Sequence, residues 1–476
     1  MQQPGILLFW LPAAIAGLVA LAAAAVVIWF YQNRWNRLAR DRQALLNEIA
    51  SLEEDKLRLR AKLDSAAPPE ESEPPTDDAP DLPDDPDSAL PPPAFASTRF
   101  PLLTKMDEKY AQPESGTADS PPAGALQYLA EHLRRYAAAH CGIYAPPGLY
   151  GSFLGAMAVS DLLLLRGEDS PPAAAGVTGH PAMGLASAVA QAMGRELDMV
   201  TVQAHWRGSA DLLGRCGAAT KIYEETHFLR LLYEAGLRKG PSLVAFQRFM
   251  AAPPERWMAE LLPLLELRTP SRKDEWIRTD ERRSLRLAES SWPNDPRLLR
   301  EGSLPWPEGV WLLGLLGADD PAPPPRLREI AMEFTVPAQA VKPFLVPWTQ
   351  PLPMETAHLR GLFDHAAELY KLPLQMRGRW DALEEYLAAQ LQLNLGARSG
   401  ERLERFAATC LACGMTSRDA VDSYLWHHAL RKLDTLEPAA LRHLLPGLSD
   451  FMVKTFERRS VPMAMEYLRG LGKEAA

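Results

Sequence analysis

The chain has 476 residues, more than one compact domain usually holds, and 47% of them are hydrophobic, as in ordinary globular proteins. The formal net charge of −9 is localised, because residues 66–93 carry nine acidic side chains and no Lys or Arg, which leaves the rest balanced. That balance excludes the strong basic field typical of nucleic-acid-binding proteins, and four scattered cysteines exclude a secreted disulfide scaffold.

The first predicted element is a membrane-spanning helix at residues 6–31, a run without a charged side chain. About 20 apolar residues suffice to cross a bilayer core as a helix. The first five residues lack the Lys or Arg that a cleaved signal peptide carries, so we expect the helix to remain as an anchor. Arginines follow the run directly, and the positive-inside rule keeps that side in the cytoplasm. The prediction is an external segment 1–5 and a cytoplasmic remainder at the inner (plasma) membrane. The predicted membrane-interface residues are Trp10, Trp29, Tyr31, Arg34 and Arg37.

A heptad pattern follows at residues 33–65, where leucines recur every seven residues. This spacing predicts a parallel coiled-coil homodimer, and tethering in a membrane raises the effective concentration for pairing. The alternative is a single solvated helix that continues the span. The predicted dimerisation residues are Leu38, Leu45, Ile49, Leu52, Leu59 and Leu63.

Residues 66–93 contain ten prolines in addition to the acidic residues. Such a segment cannot bury enough apolar surface to offset the entropy lost on ordering. We predict a disordered spacer, with a Pro-rich ligand for another protein as the alternative.

The remainder is predicted to be all-α, because apolar residues recur at spacings of three and four and alternating β-branched runs are scarce. We expect a helical subdomain at 94–268, a Pro- and Trp-rich connection at 269–325 and a second helical subdomain at 326–476. The apolar run from Leu149 to Leu165 is interpreted as a buried helix, since it is short and contains Asp161.

Two motifs suggest chemistry, both weakly. Cys410 and Cys413 form a C-x-x-C, the spacing of zinc ligands or a redox dithiol, but no second pair exists and both residues suit a helix interior. Gly176, Gly179 and Gly184 surround His180, but they lack an evident preceding strand and the Lys-Ser/Thr ending of a phosphate-binding loop. No catalytic residue, metal or cofactor is predicted.

Residues 330–341 and 413–421 resemble helix-turn-helix motifs. Neither second helix is rich in Arg, Lys, Asn or Gln, the side chains that read base edges, and Pro343 would disturb the first. Binding to nucleic acid is therefore not expected.

The layout is similar to that of bitopic inner-membrane proteins that hold a binding module at the membrane. It predicts a non-enzymatic, membrane-tethered adaptor, with the lipid bilayer and other proteins as partners, in a secretion, motility, division or polarity assembly. The alternatives are a membrane-anchored helix-turn-helix regulator of DNA and an enzyme with an unrecognised helical site.

Overall fold

The protein was studied as a computed structural model, which describes residues 100–110, 125–167, 181–217, 222–266, 283–287, 297–298, 303–317, 319–336, 346, 348–396 and 398–474. The predicted span, coiled coil and spacer lie outside the described residues, as do all the predicted interface and dimerisation residues. Within the described ranges, no helix combines the length and the apolar character needed to cross a membrane.

The centre of the fold is a five-stranded, wholly parallel β-sheet. Its strands are β1 (Leu162–Gly167), β2 (Asp198–Thr201), β5 (Ser242–Gln247), β8 (Val310–Leu316) and β9 (Met332–Val336). They lie in the order β2-β5-β8-β1-β9, with Leu164 of β1 opposite Gly314 of β8 and Glu333 of β9. Two antiparallel pairs join β3 (Gly214–Cys216) to β4 (Tyr223–Glu225) and β6 (Ser284–Arg286) to β7 (Ser303–Pro305).

Helices cover both faces of this sheet. Up to β9 the described helices are α1 (Pro101–Tyr110), α2 (Ala125–Cys141), α3 (Pro147–Val159), α4 (Pro181–Ala192), α5 (Ser209–Leu213), α6 (His227–Leu237), α7 (Pro254–Trp257), α8 (Leu262–Glu266) and α9 (Pro325–Ile330). Leu163 and Leu165 of β1 face one hydrophobic core with α3 and α4, and Leu162 and Leu164 face another with α6 and Trp257.

The all-α prediction is therefore wrong. A strand that is buried on both faces has no polar positions to alternate with apolar ones, so its sequence is a continuous apolar run. The run from Leu149 to Leu165 is helix α3, a break at Ser160 and Asp161, and then β1, whose four leucines are wholly buried. The predicted connection at 269–325 likewise contains β8, a central strand of the sheet.

The region after β9 is helical, as its periodicity indicates. It comprises α10 (Thr356–Leu369), α11 (Leu374–Leu391), α12 (Ser399–Ala412), α13 (Ser417–Tyr424), a π-helical turn (Leu425–Ala429), a 3₁₀ turn (Leu430–Thr435), α14 (Pro438–Phe456) and α15 (Pro462–Glu474). The π-helical turn covers the outer edge of β9: the backbone N–H of Thr335 donates to Nδ1 of His427 at 3.0 Å, and the His427 ring stacks on Phe334.

These findings also correct the functional prediction. The proposed adaptor rested on an all-helical binding domain held at the inner membrane. The domain is instead an α/β structure built on a parallel sheet, and no described helix is able to span a bilayer. The prediction of a membrane-tethered helical adaptor is accordingly wrong.

Candidate functional site

The carboxyl edge of the parallel sheet contains a topological switch point between β1 and β8. The chain leaving β1 continues to α4, whose Leu185 lies in the same core as Leu163. The chain leaving β8 continues to α9, whose Leu327 lies in the opposite core with Leu162. Because the two connections diverge to opposite faces, the carboxyl ends of these adjacent strands are the position at which α/β proteins commonly bind ligands.

One side of this edge is built from the first turn of α4 and the ends of two strands. The Gln247 side-chain amide nitrogen lies 3.5 Å from the Met183 sulfur, and its amide oxygen accepts a hydrogen bond of 3.2 Å from the Thr201 hydroxyl. Gln247 and Met183 are half-buried, whereas Thr201 is exposed. The three side chains form an uncharged cluster beside the start of α4.

The residue after β5 has an unusual backbone. Arg248 adopts the left-handed conformation, with φ of +53°, and its side chain is exposed. Its turn brings Phe249 under the sheet, where Phe249 is fully buried and so close to Gly314 that a Cβ there would lie 2.8 Å from the ring. Non-glycine residues in this region of φ cluster at functional sites, and here the turn leaves a cation at the carboxyl edge.

The other side of this edge contains Arg166, near the end of β1. Its guanidinium donates to the carbonyl oxygen of Gly317 at 3.0 Å and lies 3.3 Å from a carboxylate oxygen of Glu333. Asp320 accepts the Gly317 backbone N–H at 2.7 Å. These contacts hold the turn after β8 against β1.

A strand precedes the glycine-rich segment in the structure, although no evident sign of it was found in the sequence. β1 precedes Gly176, Gly179 and His180, and α4 begins immediately after them at Pro181. Strand, glycine-rich segment and helix is the arrangement of a phosphate-binding P-loop. Residues 168–180 themselves lie outside the described residues.

The side chains at these positions differ from the reactive side chains of a P-loop enzyme. Such enzymes use a Lys to reach the phosphates, and a Ser or Thr in the loop with an acidic residue on a strand to hold Mg²⁺. Gly179 is followed by His180 and Pro181, and Gly184 by Leu185, so neither glycine precedes a Lys. Met183 offers a thioether, which is a poor ligand for a hard cation, and Gln247 offers an uncharged amide where such an enzyme has a carboxylate.

The predicted cysteine pair does not take part in this edge. It lies where helix α12 packs against α3. The Cys410 thiol is fully buried on α12 against the Gly151 carbonyl oxygen of α3, at 3.6 Å. Burial raises the pKa of Cys410 well above its ordinary value and that of Cys413 to about 12. Protonated thiols are weak metal ligands. Among the described residues, no group of three or more potential metal ligands comes together.

The two helix-turn-helix candidates have different outcomes. The first is wrong, because Met332–Val336 is strand β9. In the second, α12 and α13 do form a helix pair, and Thr416 caps α13 by accepting the Asp419 backbone N–H at 3.2 Å. Residues from Ala420 to Tyr424 are buried, so α13 presents little surface to a base pair.

Sequence reasoning did not find Met183, Gln247 or Arg166. Their role depends on which strands are neighbours, and no local motif encodes that. The available signal was a set of short apolar runs, each followed by a polar residue. Arg166 follows the leucines of β1, and Gln247 is the last residue of β5.

The comparisons with known proteins add little to this geometry. No protein-family model and no curated protein matches the sequence. Among solved structures, one described as a "putative ATPase" from Cytophaga hutchinsonii is similar with a TM-score of 0.38 and 9% sequence identity, over 66% of this chain and 91% of that chain. A likeness at this level carries no argument about activity.

Proposed function

We propose that this domain is a non-hydrolysing nucleotide-binding module, which takes the phosphates of a nucleotide at the carboxyl edge of the sheet without Mg²⁺. The switch point between β1 and β8 supports the location. The glycines before α4 support phosphate as the group bound, since backbone N–H groups at the start of a helix attract anions.

The observation that carries the proposal is the contact between Gln247 and Met183 at 3.5 Å. These side chains occupy the end of a strand and the first turn of the helix after β1. A P-loop enzyme has a carboxylate and a hydroxyl in such positions to coordinate Mg²⁺. A module without them lacks the charge that stabilises phosphoryl transfer, so it acts by binding and not by turnover.

The experiment measures binding of a fluorescent ATP analogue to the full-length chain, with Mg²⁺ and with EDTA, alongside release of inorganic phosphate. We expect binding of one nucleotide per chain, the same affinity in EDTA, and no phosphate release above the blank. Absence of nucleotide binding, or hydrolysis that depends on Mg²⁺, would overturn the proposal.

A matched pair of variants locates the site. Met183 is half-buried in the first turn of α4, so both replacements can be accommodated. Met183→Glu places a carboxylate beside the phosphates and should weaken ATP binding at least about tenfold by charge repulsion. Met183→Gln has nearly the same shape without the charge and should bind as the wild type does. Equal effects of the two variants would place the nucleotide elsewhere.

A further inference from the structure

Arg248 differs from the other residues that have a positive φ. Among the described residues, the non-glycine residues with a positive φ are Arg248, Gln392 and Glu457. Gln392 directly follows α11 and Glu457 directly follows α14, and a positive φ is common where a helix ends. Arg248 instead follows β5, a strand of the central sheet, so the end of a helix does not explain its φ of +53°.

The backbone at Arg248 is fixed by its neighbours on both sides. Gln247 is paired with β2 in the sheet, and Phe249 is fully buried with its ring 5.4 Å from that of Trp257. The Arg248 carbonyl oxygen accepts the backbone N–H of Ala251 at 2.8 Å, which closes the turn. None of these contacts involves the Arg248 side chain, so they hold the turn independently of it.

An arginine is not the residue that best fits this conformation. Glycine adopts a positive φ without strain, and Asn does so several times more often than most other residues. Strained residues of this kind cluster at active sites and ligand-binding sites, where the surrounding structure over-determines them. The φ of Arg248 therefore points to a function of its side chain and not to a requirement of the turn.

The Arg248 side chain is available to a ligand. It is exposed, and its guanidinium has no hydrogen-bond or ion-pair partner within the described part of the chain. Arg166 at the same edge is different, because its guanidinium is held by Glu333 and by the Gly317 carbonyl oxygen. Of these two arginines, Arg248 is the one whose charge is not already engaged.

Arg248 also lies next to the residue that contacts the start of α4. Its neighbour Gln247 places an amide nitrogen 3.5 Å from the Met183 sulfur, in the first turn of that helix. Backbone N–H groups at the start of a helix carry partial positive charge and attract anions. Thr201, Gln247 and Met183 are uncharged, so they do not neutralise a guanidinium. The start of α4 and Arg248 therefore attract the same kind of ligand, an anion.

A guanidinium supplies what phosphate recognition needs when no metal ion takes part. It stays protonated at physiological pH, and its planar fork donates two parallel N–H···O bonds to a phosphate group. In a P-loop enzyme a Lys and Mg²⁺ supply the positive charge beside the phosphates. Met183 and Gln247 supply no such charge.

We infer that Arg248 is the side chain that neutralises and holds the phosphates of the nucleotide, in place of the Lys and Mg²⁺ of a P-loop enzyme. The inference rests on the proposed function and deepens it, because it identifies the source of positive charge at the carboxyl edge. It also accounts for the binding that we expect in EDTA.

The test compares replacements of Arg248 in the full-length chain by titration of the fluorescent ATP analogue in EDTA. Arg248→Asn removes the charge and introduces a residue that tolerates a positive φ, so the analogue should bind at least about tenfold more weakly. Arg248→Lys keeps a positive charge without the planar fork. Its affinity should lie between those of the wild type and Arg248→Asn.

Thermal unfolding separates a binding role from a structural one. Asn fits the left-handed conformation better than Arg does, so the melting temperature of Arg248→Asn should equal or exceed that of the wild type. Two controls should bind the analogue as the wild type does. Arg442→Gln removes an exposed arginine from α14, and Gln392→Asn makes the matching backbone change at the end of α11, where φ is also +53°.

Equal affinity of the wild type and Arg248→Asn for the analogue would overturn the inference and leave nucleotide binding at the edge intact. Weaker binding together with a lower melting temperature of Arg248→Asn would also overturn it, because the side chain would then maintain the turn. Absence of binding to the wild type would refute the proposed function itself, so the two failures are distinguishable.

Discussion

The amide nitrogen of Gln247 lies 3.5 Å from the sulfur of Met183, so the end of β5 contacts the first turn of α4 through two uncharged side chains. Under the proposed function, this pair stands where a P-loop enzyme has its Mg²⁺ ligands on strand and loop. The contact is therefore the place where a magnesium requirement can be introduced.

The double variant Met183→Ser with Gln247→Asp should acquire a dependence on Mg²⁺. A hydroxyl and a carboxylate at these positions provide the oxygen ligands that Mg²⁺ prefers in nucleotide sites. Calorimetric titration with ATP should show about tenfold tighter binding in Mg²⁺ than in EDTA, whereas the wild type binds equally in both. The control is Met183→Ser with Gln247→Asn, which lacks the carboxylate and should stay insensitive to Mg²⁺. An insensitive Asp variant would contradict the placement.

Helix α3 packs against α12 through glycine, and the packing predicts a steric penalty. A Cβ on Gly155 would lie 3.0 Å from the Cys410 sulfur and 3.0 Å from the Phe406 ring. Gly155→Ala should lower the free energy of unfolding by about 1–3 kcal/mol in chemical denaturation, despite the better helix propensity of Ala.

Two further variants test this steric explanation. Gly148→Ala meets only the flexible end of Met415, at 3.4 Å, and should be close to neutral. Adding Cys410→Ala to Gly155→Ala removes one of the two obstacles, so the two changes together should cost less than their sum. Strict additivity would show that contact with Cys410 is not the cause.

The buried Lys432 predicts how stability changes with pH. Burial, and secondarily Arg402, lowers the pKa of Lys432 to about 8 from its ordinary 10.5. Between these two values the unfolded chain binds more protons than the folded chain, so this group makes the free energy of unfolding rise as the pH rises. The full effect of such a shift is about 3 kcal/mol.

The measurement is urea denaturation of the wild type and Lys432→Met from pH 7 to 10.5. The stability advantage of Lys432→Met should be largest near pH 7 and shrink as the pH rises. Groups with raised pKa, such as Cys413, give an opposite slope, but both chains share them and the difference cancels. A difference that stays constant with pH would mean that Lys432 titrates normally.

The thiols should differ sharply in reactivity. Cys216 is exposed, whereas Cys410 is fully buried and burial raises the pKa of Cys413 to about 12 from its ordinary 9.0. The thiolate is the nucleophile, so at pH 7.5 Cys413 should react on the order of a thousandfold more slowly than an ordinary cysteine. Mass spectrometry after timed alkylation should find Cys216 modified first, and Cys410 and Cys413 only after unfolding.

Two results would contradict the prediction that Cys410 and Cys413 are buried, unreactive thiols. Rapid modification of Cys410 or Cys413 in the folded protein would indicate an activated dithiol. Slow modification that a chelator accelerates would indicate a bound metal. A Cys216→Ser chain removes the fast reaction and makes either result easier to detect.

The sequence predicted the helices better than the sheet, and the reason is physical. Helices of the region after β9 have one buried face, so Leu359, Phe363 and Ala366 recur at the helical period. β1 is covered on both faces, so its four leucines carry no period and resemble a helix interior. Glu333 in β9 was a further obstacle, because a buried carboxylate beside Arg166 is not expected within a strand.

The candidate site was less predictable than the fold. The glycines near His180 are a local signal and were recognised from the sequence. Gln247 and Met183 are 64 positions apart and meet only because β5 and α4 pack beside each other. Their significance also depends on a comparison with the Mg²⁺ ligands at the same places in a P-loop enzyme, and a single sequence does not show those places.

The way the π-helical turn covers β9 has a consequence for synthesis of the protein. β9 forms the outer boundary of the sheet, and the residue that satisfies its Thr335 N–H, His427, is made 92 residues later. Until then the nascent chain presents an open strand to its neighbours on the ribosome, and open strands pair with other chains. A chain that stops short of Leu425 would keep this boundary open, so premature termination should yield aggregates and not a smaller soluble domain.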